Sequence, residues 1–187
     1  MNSDKKPVAV VSDAGSGIGP IRQIGYLVRD LDVGVQQWLE HTGIGPWTCF
    51  RNVTLTGRYR GQETAIRIHV ALGYQGDMQI ELIQVLSDTS SPYQDDNGNR
   101  LVGIHHIAWF TRDLESDVAR AQERGLKVCF NGENAATRVA YMEGSSEPGT
   151  LLEFIEVTDE LAAMFQQGIE QARTWDGRNP VHNIDMG

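Results

Sequence analysis

The sequence predicts an α+β fold in which one β-α-β-β-β unit occurs twice and a helix follows the second copy. The main observation is an internal repeat: QIGYLVRDLDVGVQQW (23–38) aligns without a gap with HIAWFTRDLESDVARA (106–121). The last strand of each copy repeats as well, because QIELIQV (79–85) aligns with LLEFIEV (151–157). In both copies, alternating and helical hydrophobic periods follow one another in the same order.

The first copy begins with a strand over 21–28, which is apolar and rich in β-forming residues. Asp30 or Asp32 can cap the helix that follows, and Gly43 is suited to end it. The apolar residues of this helix have the spacing i, i+4, i+7 and i+8: Leu31, Val35, Trp38 and Leu39. Alternating apolar residues then predict three further strands, at 47–50, 65–72 and 78–86.

The second copy repeats this order. A strand over 102–111 precedes a helix that contains Leu114, Val118 and Ala121 and is stopped by Gly125. Three strands are predicted to follow it, at 126–130, 137–143 and 150–157. The tail WDGRNPVHNIDMG is expected to lack regular structure. Before it, five apolar residues at helical spacing predict a C-terminal helix: Leu161, Met164, Phe165, Ile169 and Ala172.

These elements divide the chain into five parts. Residues 1–20 are predicted to be a flexible leader, 21–86 the first unit and 101–157 the second, joined by a polar linker at 87–100. The C-terminal helix and tail occupy 158–187. The leader contains a glycine-rich run typical of nucleotide-binding proteins, but a strand-like segment follows it where such a site needs a helix.

Composition limits the classes of function. The chain has 187 residues, 40% of them hydrophobic, which is enough for one well-packed domain. A net charge of −9 makes nucleic acid an unfavourable partner, because both would be negative. The sequence contains neither an apolar run long enough to span a membrane nor a signal peptide, and its 2 cysteines are too few for a disulfide framework. We therefore expect a cytoplasmic protein with no membrane partner.

The doubled unit resembles the vicinal oxygen chelate superfamily. The resemblance rests on QIGYLVRDL and GIHHIAWFTRDL at the start of the two copies and on IELI and LEFI at their ends, and it covers about residues 21–157. Members include glyoxalase I, methylmalonyl-CoA epimerase, extradiol dioxygenases, and fosfomycin- and bleomycin-resistance proteins. The resemblance implies two tandem βαβββ modules whose mixed β-sheets curl around a cavity holding one divalent metal ion.

The metal ligands implied by the resemblance, position by position, are Gln23, Glu81, His106 and Glu153. Strand alternation agrees with this set, since each of the four shares its face with mostly apolar residues. Burying such groups costs free energy unless they are paired or ligated. The alternative is that the two glutamates form buried pairs with arginines such as Arg67 or Arg138. The neighbouring His105 has the opposite alternation, which predicts a structural or supporting role.

The ligand set indicates a kind of chemistry. One amide, two carboxylates and one imidazole suit zinc, nickel, cobalt, iron(II), manganese or magnesium. Glutamine in the first slot, where many members have histidine, resembles the Gln-Glu-His-Glu set of one class of glyoxalase I. It argues against a dioxygenase. The expected reaction is proton transfer next to a carbonyl group, as in a lyase, isomerase or epimerase.

The resemblance also implies catalytic roles. Glu153 would act as the base with Gln23 opposite, and Glu63 is the nearest match to the second base of the epimerases. The expected partners are a small-molecule substrate and a second copy of the chain in a homodimer. The alternatives are a metal-free small-molecule binding or resistance protein on the same fold and, less favoured, an oxygen-using dioxygenase.

Overall fold

The computed structural model describes residues 18–144 and 149–187 of the chain. The leader motif lies almost entirely outside the described residues. The elements are, in chain order, β1 (Gln23–Leu27), α1 (Leu31–Thr42), β2 (Trp47–Tyr59), β3 (Gln62–Gln75), β4 (Met78–Val85), β5 (Gly103–Thr111), α2 (Leu114–Glu123), β6 (Lys127–Glu133), β7 (Arg138–Glu143), β8 (Leu151–Glu156), α3 (Asp159–Thr174) and β9 (Val181–Asp185).

All nine strands belong to one mixed sheet, in the order β3-β4-β1-β5-β8-β7-β6-β2-β9. Strand β2 also pairs with β3, so the sheet curls round on itself into a barrel-like structure. The β1–β4 and β5–β8 pairs are parallel, and the antiparallel pairing of β1 with β5 joins them. The four strands β4, β1, β5 and β8 are therefore consecutive neighbours.

The helices cover different parts of the barrel. Asp30 caps α1 by accepting a hydrogen bond from the backbone N–H of Val33, and Gly43 ends the helix with a left-handed φ of 70°. The buried faces of α1 and α2 pack against the outer surface of the sheet. Helix α3 instead packs against the barrel interior, because Phe165 belongs to the same core cluster as the inward-facing strand residues.

Two regions differ from the sequence prediction. Strands β2 and β3 extend far beyond 47–50 and 65–72 and form a long hairpin, whose turn has Arg60 and Gly61 at positive φ. Several polar residues in 51–64 hide this hairpin from hydrophobic periodicity. The C-terminal tail was expected to lack regular structure, but β9 pairs in parallel with the first part of β2.

The segment predicted as a polar linker also contributes to the core. Tyr93 is 1% exposed and lies in the interior cluster of the barrel. Its hydroxyl is 3.2 Å from that of Tyr141 on β7. In the part of the chain that the structure describes, no helix is long and apolar enough to cross a membrane.

Candidate metal centre

Four polar side chains enter the barrel interior from four consecutive strands: Glu81 on β4, Gln23 on β1, His106 on β5 and Glu153 on β8. Small residues lie between them in the sheet. Ala108 separates Gln23 from Glu153 in the strand register, and Gly25 separates Glu81 from His106. The structure thus brings together all four residues that the sequence singled out as ligands.

Gly25 allows the imidazole of His106 to lie over the strand β1. A Cβ atom at residue 25 would be only 2.0 Å from Cε1 of His106, a distance that no real contact tolerates. Glycine is therefore required here by the close approach of a side chain rather than by backbone conformation.

Three oxygen atoms converge on one nitrogen of His106. Nε2 lies 3.0 Å from Oε2 of Glu153, 3.1 Å from Oε2 of Glu81 and 3.2 Å from Oε1 of Gln23. The side chains of His106 and Glu153 are 0% and 4% exposed, whereas that of Glu81 is 14% exposed. The cluster is therefore buried, and Glu81 is its most accessible charged member.

Hydrogen bonding alone does not satisfy this arrangement. Nε2 carries at most one proton and cannot donate it to three oxygens. Oε2 of Glu153 is buried and accepts no well-aligned hydrogen bond within the described residues, although Nε2 is close to it. Bonds of about 2.1 Å place adjacent ligands of one cation roughly 3 Å apart, which is the spacing seen here. The four residues thus fit a divalent ion.

The electrostatics of the cluster favour positive charge at the imidazole. Burial disfavours the protonated form of His106, but the carboxylates of Glu153 and Glu81 outweigh this effect and raise its pKa to about 10. Burial also raises the pKa of Glu153 above its usual value, although His106 opposes the shift. A proton or a divalent cation can supply the positive charge that these carboxylates favour.

His105 fixes the orientation of the His106 ring. The register between β1 and β5 shifts beside His105, and the resulting bulge turns the His105 side chain into the barrel. There the centroid of its ring lies 5.5 Å from that of Tyr141. Simple alternation had placed it on the opposite face. Nε2 of His105 lies 2.9 Å from the carbonyl oxygen of Pro92, and its Nδ1 lies 3.0 Å from Nδ1 of His106.

This contact pattern determines which nitrogen of His106 keeps its proton when the ring is neutral, as it would be as a ligand of a cation. The Pro92 oxygen can only accept, so Nε2 of His105 carries a proton and donates it. Burial and the neighbouring His106 lower the pKa of His105 to about 3, so His105 is neutral and its Nδ1 accepts from Nδ1–H of His106. Nε2 of His106 is then the nitrogen left to face the oxygens, as a metal ligand requires.

Glu63 does not join this cluster. Its side chain is 86% exposed near the turn of the β2–β3 hairpin, 3.4 Å from Arg58. It lies nine residues along β3 from Leu72, the register partner of Glu81, which is about 30 Å of strand. The prediction of Glu63 as a second base is therefore not supported by its position.

The arginines of the alternative prediction are also elsewhere. Arg138 forms ion pairs with Glu115 and Glu156. Arg67 is exposed on β3. In the part of the chain that the structure describes, neither of these two arginines is paired with Glu81 or Glu153.

Comparisons with known proteins agree with this architecture. Residues 22–141 match the family model described as the glyoxalase/bleomycin resistance protein/dioxygenase superfamily. A search of curated proteins finds no match. Among solved structures, methylmalonyl-CoA epimerase from Mycobacterium tuberculosis is 22% identical with a TM-score of 0.53, covering 83% of this chain and 99% of that chain. A hypothetical protein from Bacillus halodurans C-125 is 22% identical with a TM-score of 0.52, covering 75% and 95%. At this identity the likeness to both structures shows the fold alone.

Proposed function

Because the chain belongs to the glyoxalase/bleomycin resistance protein/dioxygenase superfamily, we propose that it is a divalent-metal-dependent enzyme that transfers a proton next to a carbonyl group of a small organic substrate. The observation that carries the proposal is the convergence of three side-chain oxygens on Nε2 of His106 at 3.0–3.2 Å. The reaction would be that of a lyase, isomerase or epimerase of the glyoxalase type.

The four converging residues would hold the ion: Gln23, Glu81, His106 and Glu153. Two carboxylates, an imidazole and an amide oxygen suit zinc, nickel, cobalt, iron(II), manganese or magnesium. A divalent ion bound here would act as a Lewis acid that stabilises negative charge developing on the substrate carbonyl oxygen.

Glu153 is the proposed base. Its side chain is 4% exposed, and its Oε2 accepts no well-aligned hydrogen bond within the described residues, so this carboxylate is available to accept a proton. Gln23 lies on the other side of Ala108 in the strand register and cannot accept a proton as an amide. Gln23 would therefore contribute an oxygen ligand, while Glu153 removes and returns the proton.

The proposed route for the substrate is a cavity of about 470 Å³ that lies next to His105, although none of the four converging residues lines it. His105 and Leu151 line this cavity, and Leu151 is the register partner of His106. The volume is typical of small-molecule sites. At its mouth, Arg60 lies 3.5 Å from Asp96 and 3.8 Å from Glu143. Since acidic groups outnumber the arginine there, we expect a neutral substrate to be favoured over a strongly anionic one.

Exchange of α-protons in deuterated water tests the activity before the natural substrate is known. A panel of small carbonyl compounds, neutral and anionic, is incubated with the metal-loaded protein, and deuterium incorporation is followed by NMR. Glu153→Gln is the key variant, compared at matched metal occupancy. It keeps an oxygen ligand but should lose about 100- to 10,000-fold in exchange rate, because the amide cannot accept the proton.

Gln23→Glu is the matched control, because it changes an amide to a carboxylate in the same shell and should retain more of the rate. Metal-loaded Glu153→Gln with more than about a tenth of the wild-type rate would place the base elsewhere. Wild-type protein that binds no metal and exchanges no member of the panel would refute the proposed activity.

A further inference from the structure

Gln79 lies in the barrel interior beside the metal centre, and its amide is fully buried at 1% exposure. It is on β4, two residues before Glu81, and its register partner on β1 is Gln23. The Nε2 of Gln23 donates a hydrogen bond to Oε1 of Gln79 at 2.6 Å. The Nε2 of Gln79 in turn donates to the hydroxyl of Tyr74 at 2.7 Å. Three buried side chains thus form one directed chain of hydrogen bonds.

The hydrogen bond between Gln23 and Gln79 occupies the NH₂ end of the Gln23 amide and leaves the other end to face the cluster. An amide has an oxygen at one end and an NH₂ group at the other. With its NH₂ group held by Gln79, Gln23 presents Oε1 to Nε2 of His106, 3.2 Å away. The reversed amide would instead present N–H groups, which cannot ligate a cation.

From this geometry we infer that Gln79, supported by Tyr74, is a positioning residue that orients Gln23 as an oxygen ligand of the metal. The inference rests on the proposed metal-dependent function. Gln79 would touch neither the ion nor the substrate and would act through Gln23 alone. Polar residues that orient a metal ligand from behind are commonly worth about 10- to 100-fold in metal affinity.

The chain offers variants that separate orientation from packing. Gln79→Met keeps a similar volume but removes both hydrogen bonds. Gln79→Glu places a carboxylate there, which can accept hydrogen bonds but not donate them. The NH₂ group of Gln23 must therefore still point to residue 79, and Oε1 of Gln23 stays on the side of the cluster. The Tyr74 hydroxyl can rotate to donate to that carboxylate. Gln84→Met is a matched control on β4, because Gln84 accepts a hydrogen bond from the Leu31 backbone and does not contact the cluster.

Titration of purified, metal-stripped protein with Co²⁺ tests the inference, with the Kd and the visible d–d absorption spectrum as readouts. Circular dichroism confirms that each variant is folded. We expect Gln79→Met to weaken Co²⁺ binding by about 10-fold or more and to alter the spectrum, because one oxygen ligand is no longer held in place. Gln79→Glu and Gln84→Met should remain within about threefold of wild type. If Gln79→Met does not fold, Tyr74→Phe replaces it and should weaken binding as well.

The possible results distinguish a failure of the Gln79 inference from a failure of the proposed metal-dependent function. Wild-type binding with an unchanged Kd and spectrum in Gln79→Met, or in Tyr74→Phe where that replaces it, overturns the inference and leaves the proposed function standing. Equal weakening in Gln79→Met and Gln79→Glu also overturns it, because only packing would then matter. Wild-type protein that binds no Co²⁺ refutes the proposed metal-dependent function and the inference together.

Discussion

Gly25 is the residue on which the geometry of the candidate metal centre depends most directly. In Gly25→Ala, the new methyl group would start 2.0 Å from Cε1 of His106, so the imidazole must leave its position. We expect a loss of about 1–3 kcal/mol in the free energy of unfolding and weaker metal binding. Urea denaturation and metal titration measure the two effects. Gly144→Ala is the control, because no atom of the described residues lies within 4 Å of a Cβ there; equal behaviour of the two variants would contradict this explanation.

The two cysteines are predicted to be unreactive in the native protein. Burial raises the pKa of both Cys49 and Cys129 to about 11, so almost no thiolate exists at pH 8. We expect a thiol reagent such as Ellman's reagent to label them only after unfolding. Fast labelling of either thiol in folded protein would show that its environment is not the one described.

The same shifts predict a dependence of stability on alkaline pH. Between pH 9 and 11 the unfolded thiols ionise while the folded ones stay neutral, so stability that is present below pH 9 is lost as the pH rises. In a variant with both cysteines changed to alanine, the free energy of unfolding should fall less steeply over this interval. Urea denaturation at pH 8.5 and 10.5 compares the two proteins.

At the scale of single residues, the sequence identifies the four converging side chains but not the neighbouring residues that form hydrogen bonds with them. The family resemblance, carried over position by position, implies Gln23, Glu81, His106 and Glu153, and alternation along their four strands agrees with it. Gln79 belongs to the same alternating face, yet its hydrogen bond to Gln23 depends on the β1–β4 register, which the sequence does not contain. His105 is misplaced by alternation because a bulge reverses the face of one residue.

Helix α3 closes one end of the barrel through a close contact at Gly168. A Cβ there would lie 2.3 Å from the Tyr74 ring, so the helix backbone lies directly against that ring. Gly168→Ala should destabilise the protein by about 1–2 kcal/mol, since overpacking against a buried ring exceeds the gain in helix propensity. Thermal or urea denaturation measures this, with the exposed Gln167→Ala as control. A stabilised Gly168→Ala would show that α3 is not held against Tyr74.

Among the helices and strands, hydrophobic periodicity predicts those whose apolar residues follow a regular local spacing. The helices α1, α2 and α3 have clear apolar stripes and side-chain caps at Asp30, Asp113 and Thr158. The β2–β3 hairpin and β9 lack such patterns, because both are polar over much of their length. Their pairing with distant strands, β6 and β2, defines them instead. A local sequence pattern cannot predict pairing with a strand that is distant in the chain.

At the scale of the whole molecule, we interpret the elements of 21–86 and 101–157 as two copies of one module. Each run has a parallel pair of first and last strands, β1–β4 and β5–β8, and the candidate metal centre lies where the two runs meet through the β1–β5 pair. The repeat in the sequence therefore predicts the position of the site as well as the order of the elements.

We also predict that the protein is a homodimer. Strand β9 is the last strand in the order of the described sheet, Ile184 on it is 43% exposed, and an open sheet edge is suited to pairing with a second copy. Light scattering coupled to size-exclusion chromatography should give twice the mass of 20.7 kDa at micromolar concentration. A mass equal to that of one chain would contradict the prediction.

The metal content of protein purified without added metal shows directly whether the four converging residues hold an ion. The account predicts about one zinc, nickel, cobalt, iron, manganese or magnesium ion per wild-type chain, measured by mass spectrometry of the elements. It predicts almost none in Glu81→Ala and Glu153→Ala, because each loses a carboxylate that balances the charge of the ion. Circular dichroism must show that both variants are folded. Wild-type protein that carries no metal and takes up none on addition, or variants that keep the wild-type content, would contradict the account.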